Sequence, residues 1–120
     1  MVCNTTGGNN NDAATAELAL GLLISAARAI PTGDANIRAG KFQDDVPVGY
    51  ALAGKTMGLI GIGRLGSHMA RYCKALNMNL LAWSQNLTPE RAQAAGASMV
   101  SKEDLLSRAD AVSIHLVLSD

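Results

Sequence analysis

The stretch of sequence that decides the fold is Thr56-Met57-Gly58-Leu59-Ile60-Gly61-Ile62-Gly63-Arg64-Leu65-Gly66. Residues 56–61 are mostly apolar and short enough to form a buried strand. Residues 65–76 repeat apolar side chains at helical spacing, which predicts a helix with one face formed by Leu65, Met69, Tyr72 and Leu76. The glycines of a G-x-G-x-x-G pattern therefore lie at the turn between a strand and a helix.

Each glycine of this pattern has a separate physical task. Gly61 allows the tight turn out of the strand, Gly63 lets the backbone approach a pyrophosphate closely, and Gly66 lets the helix pack against the strand. The helix N-terminus presents amide groups and the positive end of its dipole to the phosphates, and Arg64 can add a charge-assisted contact. The strand, the glycine spacing and the helix together predict a dinucleotide-binding turn. The alternative is a glycine-rich turn that binds no ligand.

Downstream of this turn the sequence alternates between predicted strands and helices. Strands are predicted at residues 79–83, 97–100 and 111–117, and helices at residues 88–95 and 101–107. Thr88 and Ser101 are predicted to cap the two helices, with Pro89 at the first helical position of one and Asp104 completing a capping box in the other. The order βαβαβαβ predicts an α/β fold with a Rossmann-like, doubly wound parallel sheet. Because a complete sheet of this type has about six strands, the chain is expected to be truncated after the fourth.

Upstream of the turn the sequence predicts a long apolar helix at residues 13–30, with Asp12 as its N-cap and Pro31 at its end. This helix has almost no polar face, so it must be covered either by its own domain or by a second subunit. A short helix is predicted at residues 34–40, capped by Asp34 and ended by Gly40, followed by a loop at residues 41–55. Residues 1–12 are expected to form a loop at the junction with a substrate domain, and residues 13–120 a partial dinucleotide-binding domain.

Composition narrows the possible partners. The chain has ten basic and ten acidic residues, so it offers no basic field for nucleic acid. The longest apolar run, residues 18–27, is shorter than the roughly 20 residues of a membrane span. Two isolated thiols, Cys3 and Cys73, suggest neither a disulfide framework nor a metal site and favour a reducing, cytoplasmic location. The same thiols are expected to behave as small hydrophobes.

The end of the second predicted strand departs from the rule for NAD. That rule expects a carboxylate about 20 residues after the glycines to bind the adenine ribose, but the sequence there is Trp83-Ser84-Gln85-Asn86. Ser84, Gln85 or Asn86 can still bond a ribose hydroxyl, and none of them repels a 2′-phosphate as a carboxylate would. The sequence therefore predicts a weakened preference for NAD over NADP, with Arg64 able to assist the phosphate.

Histidines offer little catalytic chemistry. His115 lies within the fourth predicted strand and has no acidic partner nearby in sequence, so packing near a cofactor is favoured over a catalytic role. His68, on the helix after the glycines, is expected to be packed or to face solvent.

Three segments of the chain resemble the D-isomer-specific 2-hydroxyacid dehydrogenase family. The first is residues 54–66, which contain the glycine pattern and look like the family signature. The second is Ala14-Thr15-Ala16-Glu17-Leu18-Ala19-Leu20, similar to the start of the family's long helix. The third is Asp110-Ala111-Val112-Ser113-Ile114-His115-Leu116, similar to its fourth strand.

The resemblance implies a domain that binds NAD or NADP in a homodimeric enzyme, which transfers a hydride between the nicotinamide and a D-2-hydroxy or 2-oxo acid. The helix at residues 13–30 would contribute to the dimer. By position, Arg64 and Leu65 would contact the pyrophosphate, and Ser84 and Gln85 the adenine ribose. The adenosine side would be lined by His115, Leu116 and Val117, and Thr15 would lie near the nicotinamide.

The same resemblance implies that this chain is inactive by itself. The family's catalytic Arg, Glu and His lie downstream of the matched region, and no catalytic residue is assigned here. Two alternatives remain open at this point: a non-catalytic dinucleotide-binding module, and a decayed gene product. S-adenosylmethionine is a disfavoured ligand, because the complete glycine spacing suits a dinucleotide pyrophosphate.

Overall fold

A computed structural model describes residues 12–116 as five helices and four strands. The helices are α1 (Asp12–Arg28), α2 (Ile30–Arg38), α3 (Arg64–Ala75), α4 (Pro89–Ala94) and α5 (Lys102–Arg108). The strands are β1 (Thr56–Ile60), β2 (Asn79–Trp83), β3 (Ser98–Met99) and β4 (Ala111–Ile114). The predicted order of strands and helices from residue 56 onward is confirmed, with each strand shorter than or equal to its predicted length. Residues 1–11 and 117–120, including Cys3 and Val117, lie outside the described part.

The four strands form one parallel sheet in the order β3-β2-β1-β4. Ile60, the last residue of β1, is level with Trp83 of β2 on one side and with Ile114 of β4 on the other. The chain thus moves outward from β1 to β3 and then crosses to the other side of β1. Such a reversal of strand order creates a crevice at the carboxyl ends of the strands, where ligands of these sheets bind.

Both faces of the sheet are covered at the central strands β1 and β2, as a doubly wound fold requires. Side chains of a strand alternate between faces, and the buried residues of β1 and β2 divide accordingly into two clusters. The larger one joins the sheet to α1, α3 and α4 and includes Met57, Leu59, Met69 and Cys73. The smaller one, under α5, consists of Ile60, Leu81 and Leu105.

Cys73 behaves as the sequence predicts, since it is fully buried. Burial raises the pKa of its thiol to about 11. The group is therefore a packed, protonated side chain.

The helical region before the sheet differs from the prediction. The chain bends by 70° between α1 and α2, because Ala29 adopts a left-handed conformation with φ of 51°. Pro31 therefore does not end the long helix; it lies in the first turn of α2, where its missing N–H leaves no bond unmade. Asp34 is likewise not a cap: it lies inside α2 and pairs with Arg38 one turn later. The predicted N-cap, Asp12, already belongs to α1.

One side of α1 packs on the domain and the other does not. Ala16 and Ala27 are buried, whereas Leu18 and Leu22 remain 58% and 63% exposed. Residues 12–116 by themselves therefore do not cover this helix completely. Among the described residues no single helix is long and apolar enough to cross a membrane, although α1 and α2 together pass that test as a bent pair.

Candidate cofactor site

Gly61 forms the turn at the end of β1, directly between the ends of its two neighbouring strands. Its amide donates to the carbonyl of Trp83 at 2.8 Å, and its φ of 97° is one that side chains rarely adopt. A Cβ there would lie 2.7 Å from the carbonyl oxygen of His115. Backbone conformation and space both require glycine, as the sequence predicts.

Gly66 lies against other backbone atoms, whereas Gly63 borders open space. A Cβ on Gly66 would overlap the carbonyl oxygen of Gly61, so the close approach of α3 to the strand end depends on this glycine. A Cβ on Gly63 would meet no atom within 4 Å. The outer side of the turn is therefore open at the one glycine that is predicted to make room for a ligand.

The N-terminus of α3 differs from those of α4 and α5. Thr88 and Ser101 cap the latter two by accepting hydrogen bonds from the amides of Arg91 and Asp104, which confirms both predicted caps. The N-cap of α3 is Gly63, which makes no side-chain cap. The first amides of a helix have no intrahelical acceptor, and they carry the positive end of its dipole. Uncapped amides beside an open turn suit an anionic group such as a diphosphate.

A groove of about 320 Å³ runs along this turn. We call it the turn groove; it is lined by Thr15, Gly63, Arg64, Leu65, Ile114, His115 and Leu116. The fold thus brings six of the predicted site residues together from three separate segments. Ile114 was missed by the sequence analysis, because an apolar residue in a strand gives no signal of a site. Its place beside the end of β1 follows only from the pairing of β1 with β4.

His115 lies one residue beyond the end of β4, not within the strand as the sequence predicts. Its amide donates to the carbonyl of Ile60 at 2.8 Å. Its Nε2 lies 2.9 Å from the hydroxyl oxygen of Ser113. Desolvation by burial lowers the pKa of the imidazole, so the ring is neutral at neutral pH. It contributes a polar but uncharged wall to the turn groove.

Ser84 and Gln85 follow β2 at the same edge of the sheet. Ser84 is half-buried and Gln85 exposed, and the carbonyl of Ser84 accepts a bond from the amide of Leu87 at 3.2 Å in a turn. Neither residue lines the turn groove. They lie at the end of the strand next to the glycine turn, and Val117, the remaining predicted site residue, falls outside the described residues.

A second groove, of about 780 Å³, lies between α3 and α4 on the other side of the glycine turn. It shares Gly63 and Arg64 with the turn groove, and its basic residues are Arg64, Arg71, Lys74 and Arg91. Because no carboxylate lines it, we call it the basic groove. Arg91 also donates a hydrogen bond to the carbonyl of Ile62 at 3.0 Å. No pattern in the sequence marks Arg91, which lies 29 residues from Ile62 along the chain.

The fold and this site define an α/β dinucleotide-binding domain. A parallel sheet reverses its strand order at β1, and a glycine turn with an uncapped helix N-terminus lies at that point. Comparison with known proteins gives the family. The family described as "D-isomer specific 2-hydroxyacid dehydrogenase, NAD binding domain" matches residues 20–120. The chain belongs to this family, and NAD(P) is the cofactor that the domain implies.

Known relatives are similar over most of the chain. D-3-phosphoglycerate dehydrogenase from Archaeoglobus fulgidus is 40% identical over 116 residues, which cover 97% of this chain and 22% of that protein. Glyoxylate reductase from Thermococcus litoralis is 36% identical over 113 residues, covering 88% of this chain and 34% of that protein. The chain therefore spans about a fifth to a third of the length of these relatives.

Solved structures agree. Phosphoglycerate oxidoreductase from Vibrio cholerae superposes with a TM-score of 0.87 at 29% identity, covering 94% of this chain and 37% of that one. D-lactate dehydrogenase from Escherichia coli superposes with a TM-score of 0.83 at 30% identity, covering 92% and 35%. This similarity confirms the Rossmann-like fold predicted from the sequence.

Proposed function

We propose that the chain binds NAD or NADP at the glycine turn and serves as the cofactor-binding part of an oxidoreductase that acts on D-2-hydroxy acids. The observation that carries this proposal is the N-terminus of α3, which has no side-chain cap and opens at Gly63 onto free space. The diphosphate would bind the amides of this turn, with Arg64 contributing positive charge. The substrate class rests on relatives that include a D-3-phosphoglycerate dehydrogenase and a glyoxylate reductase.

A bound nicotinamide supplies the hydride acceptor or donor, and the residues of this chain hold and orient it. Thr15 and His115 lie on the walls of the turn groove, where they would restrict the position of the cofactor. The family resemblance assigns none of the catalytic Arg, Glu and His to these 120 residues. We therefore propose that the 120-residue chain binds the cofactor but does not turn over a 2-hydroxy acid, because hydride transfer needs a held substrate and a base within reach.

The preference between NAD and NADP is proposed to be weak. Ser84 and Gln85 follow β2 where the NAD rule expects a carboxylate, so no negative charge at these positions repels a 2′-phosphate. Arg64 borders both grooves and adds positive charge nearby.

We further propose that the exposed side of α1 forms a homodimer contact. Leu18 and Leu22 are separated by one helical turn, lie on the same face of α1 and are more than half exposed. Apolar side chains repeated on one exposed helix face are a usual feature of subunit contacts.

Thermal unfolding of the 120-residue chain with and without each cofactor tests the binding proposal. A ligand present at 100 times its Kd adds about 2.7 kcal/mol to the free energy of unfolding, so we expect both NAD and NADP to raise Tm. The matched control is Gly63→Ala, whose added methyl group meets only open space in the protein and should weaken cofactor binding. No rise in Tm with either dinucleotide at millimolar concentration would disprove binding, and a thousandfold preference for NAD in a competition titration would disprove the weak discrimination.

A further inference from the structure

The side chain of Arg91 makes a hydrogen bond to the backbone of the glycine turn. Its guanidinium donates to the carbonyl oxygen of Ile62 at 3.0 Å in a partly buried position. Ile62 lies between Gly61 and Gly63, and its side chain is only 6% exposed within the larger core cluster. The bond therefore joins α4 to the centre of the turn.

The hydrogen bond from Arg91 to Ile62 is relevant to ligand binding because the peptide that joins Ile62 to Gly63 is planar. The carbonyl of Ile62 and the amide of Gly63 belong to the same peptide unit, in which C=O and N–H point in opposite directions. Holding the oxygen on the α4 side consequently fixes the direction of the Gly63 N–H. Without this bond the peptide can rotate, because glycine tolerates conformations on either side of zero φ.

Arg91 is itself well anchored. Its backbone amide donates to the side-chain oxygen of Thr88, the N-cap of α4, at 3.4 Å. On the same helix, Ala92 is buried in the core. The guanidinium therefore extends from a fixed base, so its hydrogen bond to Ile62 can hold the turn in one geometry.

We propose that Arg91 is a positioning residue, which orients the Ile62–Gly63 peptide so that the turn is preorganised for the cofactor diphosphate. This inference rests on the proposed function for the identity of the ligand. The orientation of the Ile62–Gly63 peptide by Arg91 is a property of the protein without ligand. The hydrogen bond to Ile62 distinguishes Arg91 from Arg71, another basic residue of the basic groove. Arg71 lines the same groove, but its guanidinium contacts Nδ1 of His68 on its own helix at 2.6 Å.

The test compares Arg91→Met with Arg71→Met in the 120-residue chain. Both variants remove one positive charge from the basic groove, but only the first removes the bond to Ile62. For Arg91→Met we expect a lower NMR order parameter of the Gly63 N–H without ligand, because the peptide is no longer held, and a rise of about tenfold in Kd, in equal measure for NAD and NADP. Arg71→Met should leave this order parameter unchanged. Arg91→Lys retains a charged donor and should recover part of the affinity.

The outcomes are distinguishable. Equal effects of Arg91→Met and Arg71→Met on Kd would show that only charge matters and would overturn the proposal. A loss confined to NADP would also overturn it, since that pattern means direct contact with a 2′-phosphate. If the wild-type chain binds neither dinucleotide, the proposed function fails, and an unchanged order parameter of the Gly63 N–H in Arg91→Met then rejects the positioning role as well. Any general loss of folding appears in the Tm of the variant without ligand.

Discussion

At the scale of single residues, the glycine pattern combines two different requirements. Gly61 and Gly66 are needed by the protein itself, because a Cβ at either position would strike backbone atoms. Gly63 is surrounded by open space, so the fold alone gives no steric reason for glycine there. A motif that reads as one unit in the sequence therefore contains two glycines that the fold requires and one, Gly63, for which we propose a role in binding a ligand.

The first prediction separates these requirements by stability. Gly66→Ala should lower the free energy of unfolding by at least about 2 kcal/mol, because its methyl group would overlap the carbonyl oxygen of Gly61 and α3 would have to move. Gly63→Ala should change it by less than about 1 kcal/mol, a weakening typical of an alanine at an N-cap. Urea unfolding followed by circular dichroism measures both values. Equal losses in the two variants would contradict the division of roles.

The second prediction concerns His115 and pH. Burial lowers the pKa of its imidazole below the ordinary value of 6.5, so between these two pKa values the unfolded state binds more protons than the folded state. The free energy of unfolding should therefore fall as the pH drops below about 6.5. It should fall less in His115→Gln, which cannot take up this proton.

Urea unfolding at about pH 7.5 and about pH 5 measures the effect of His115. The difference between the wild-type chain and His115→Gln removes the contributions of His68 and of the carboxylates, which both proteins share. The same pH dependence in both proteins would show that His115 titrates normally.

At the scale of secondary-structure elements, side-chain caps explain where α4 and α5 begin. The backbone conformation of Ala29 explains where the chain bends between α1 and α2. The caps at Thr88 and Ser101 could be predicted, since each depends on residues within one turn. The bend between α1 and α2 could not, because Ala29 is an ordinary helix former and its left-handed conformation must be imposed by the contacts on either side. In particular, the amide of Tyr50 donates to the carbonyl of Ala27 at 3.0 Å, which ties the end of α1 to the following loop.

The third prediction uses this bend. Ala29→Gly should raise the free energy of unfolding by up to about 1 kcal/mol, because glycine adopts positive φ without the steric cost that alanine has. Ala26→Gly, at an exposed position inside α1, should lower it by up to about 1 kcal/mol. Chemical denaturation of both variants gives the two signs. Destabilisation by both substitutions would mean that Ala29 is not strained.

At the scale of the whole molecule, the exposed face of α1 and the reversal of strand order have separate consequences. The reversal at β1 brings the ends of β1, β2 and β4 to one edge of the sheet, and this creates the crevice in which we propose that the cofactor binds. The apolar face of α1 lies outside that crevice. Its side chains are available for a second subunit in the isolated chain.

The fourth prediction tests this face. Sedimentation velocity of the wild-type chain should show a concentration-dependent dimer, and the double variant Leu18→Gln with Leu22→Gln should be monomeric. Leu106, which is 53% exposed on α5, provides the control: Leu106→Gln should dimerise like the wild type. A monomeric wild-type chain at high concentration would reject the homodimer.

What could be predicted before folding depends on near neighbours in the chain: the strand–turn–helix unit at residues 56–76, the caps at Thr88 and Ser101, and the order of strands and helices along the chain from residue 56. These features follow from spacing and side-chain type, which are local properties. The groove shared by Thr15 and Ile114, the bond from Arg91 to Ile62 and the bend at Ala29 are decided only by the tertiary structure. They depend on packing between distant segments, and no local pattern of side chains encodes such contacts.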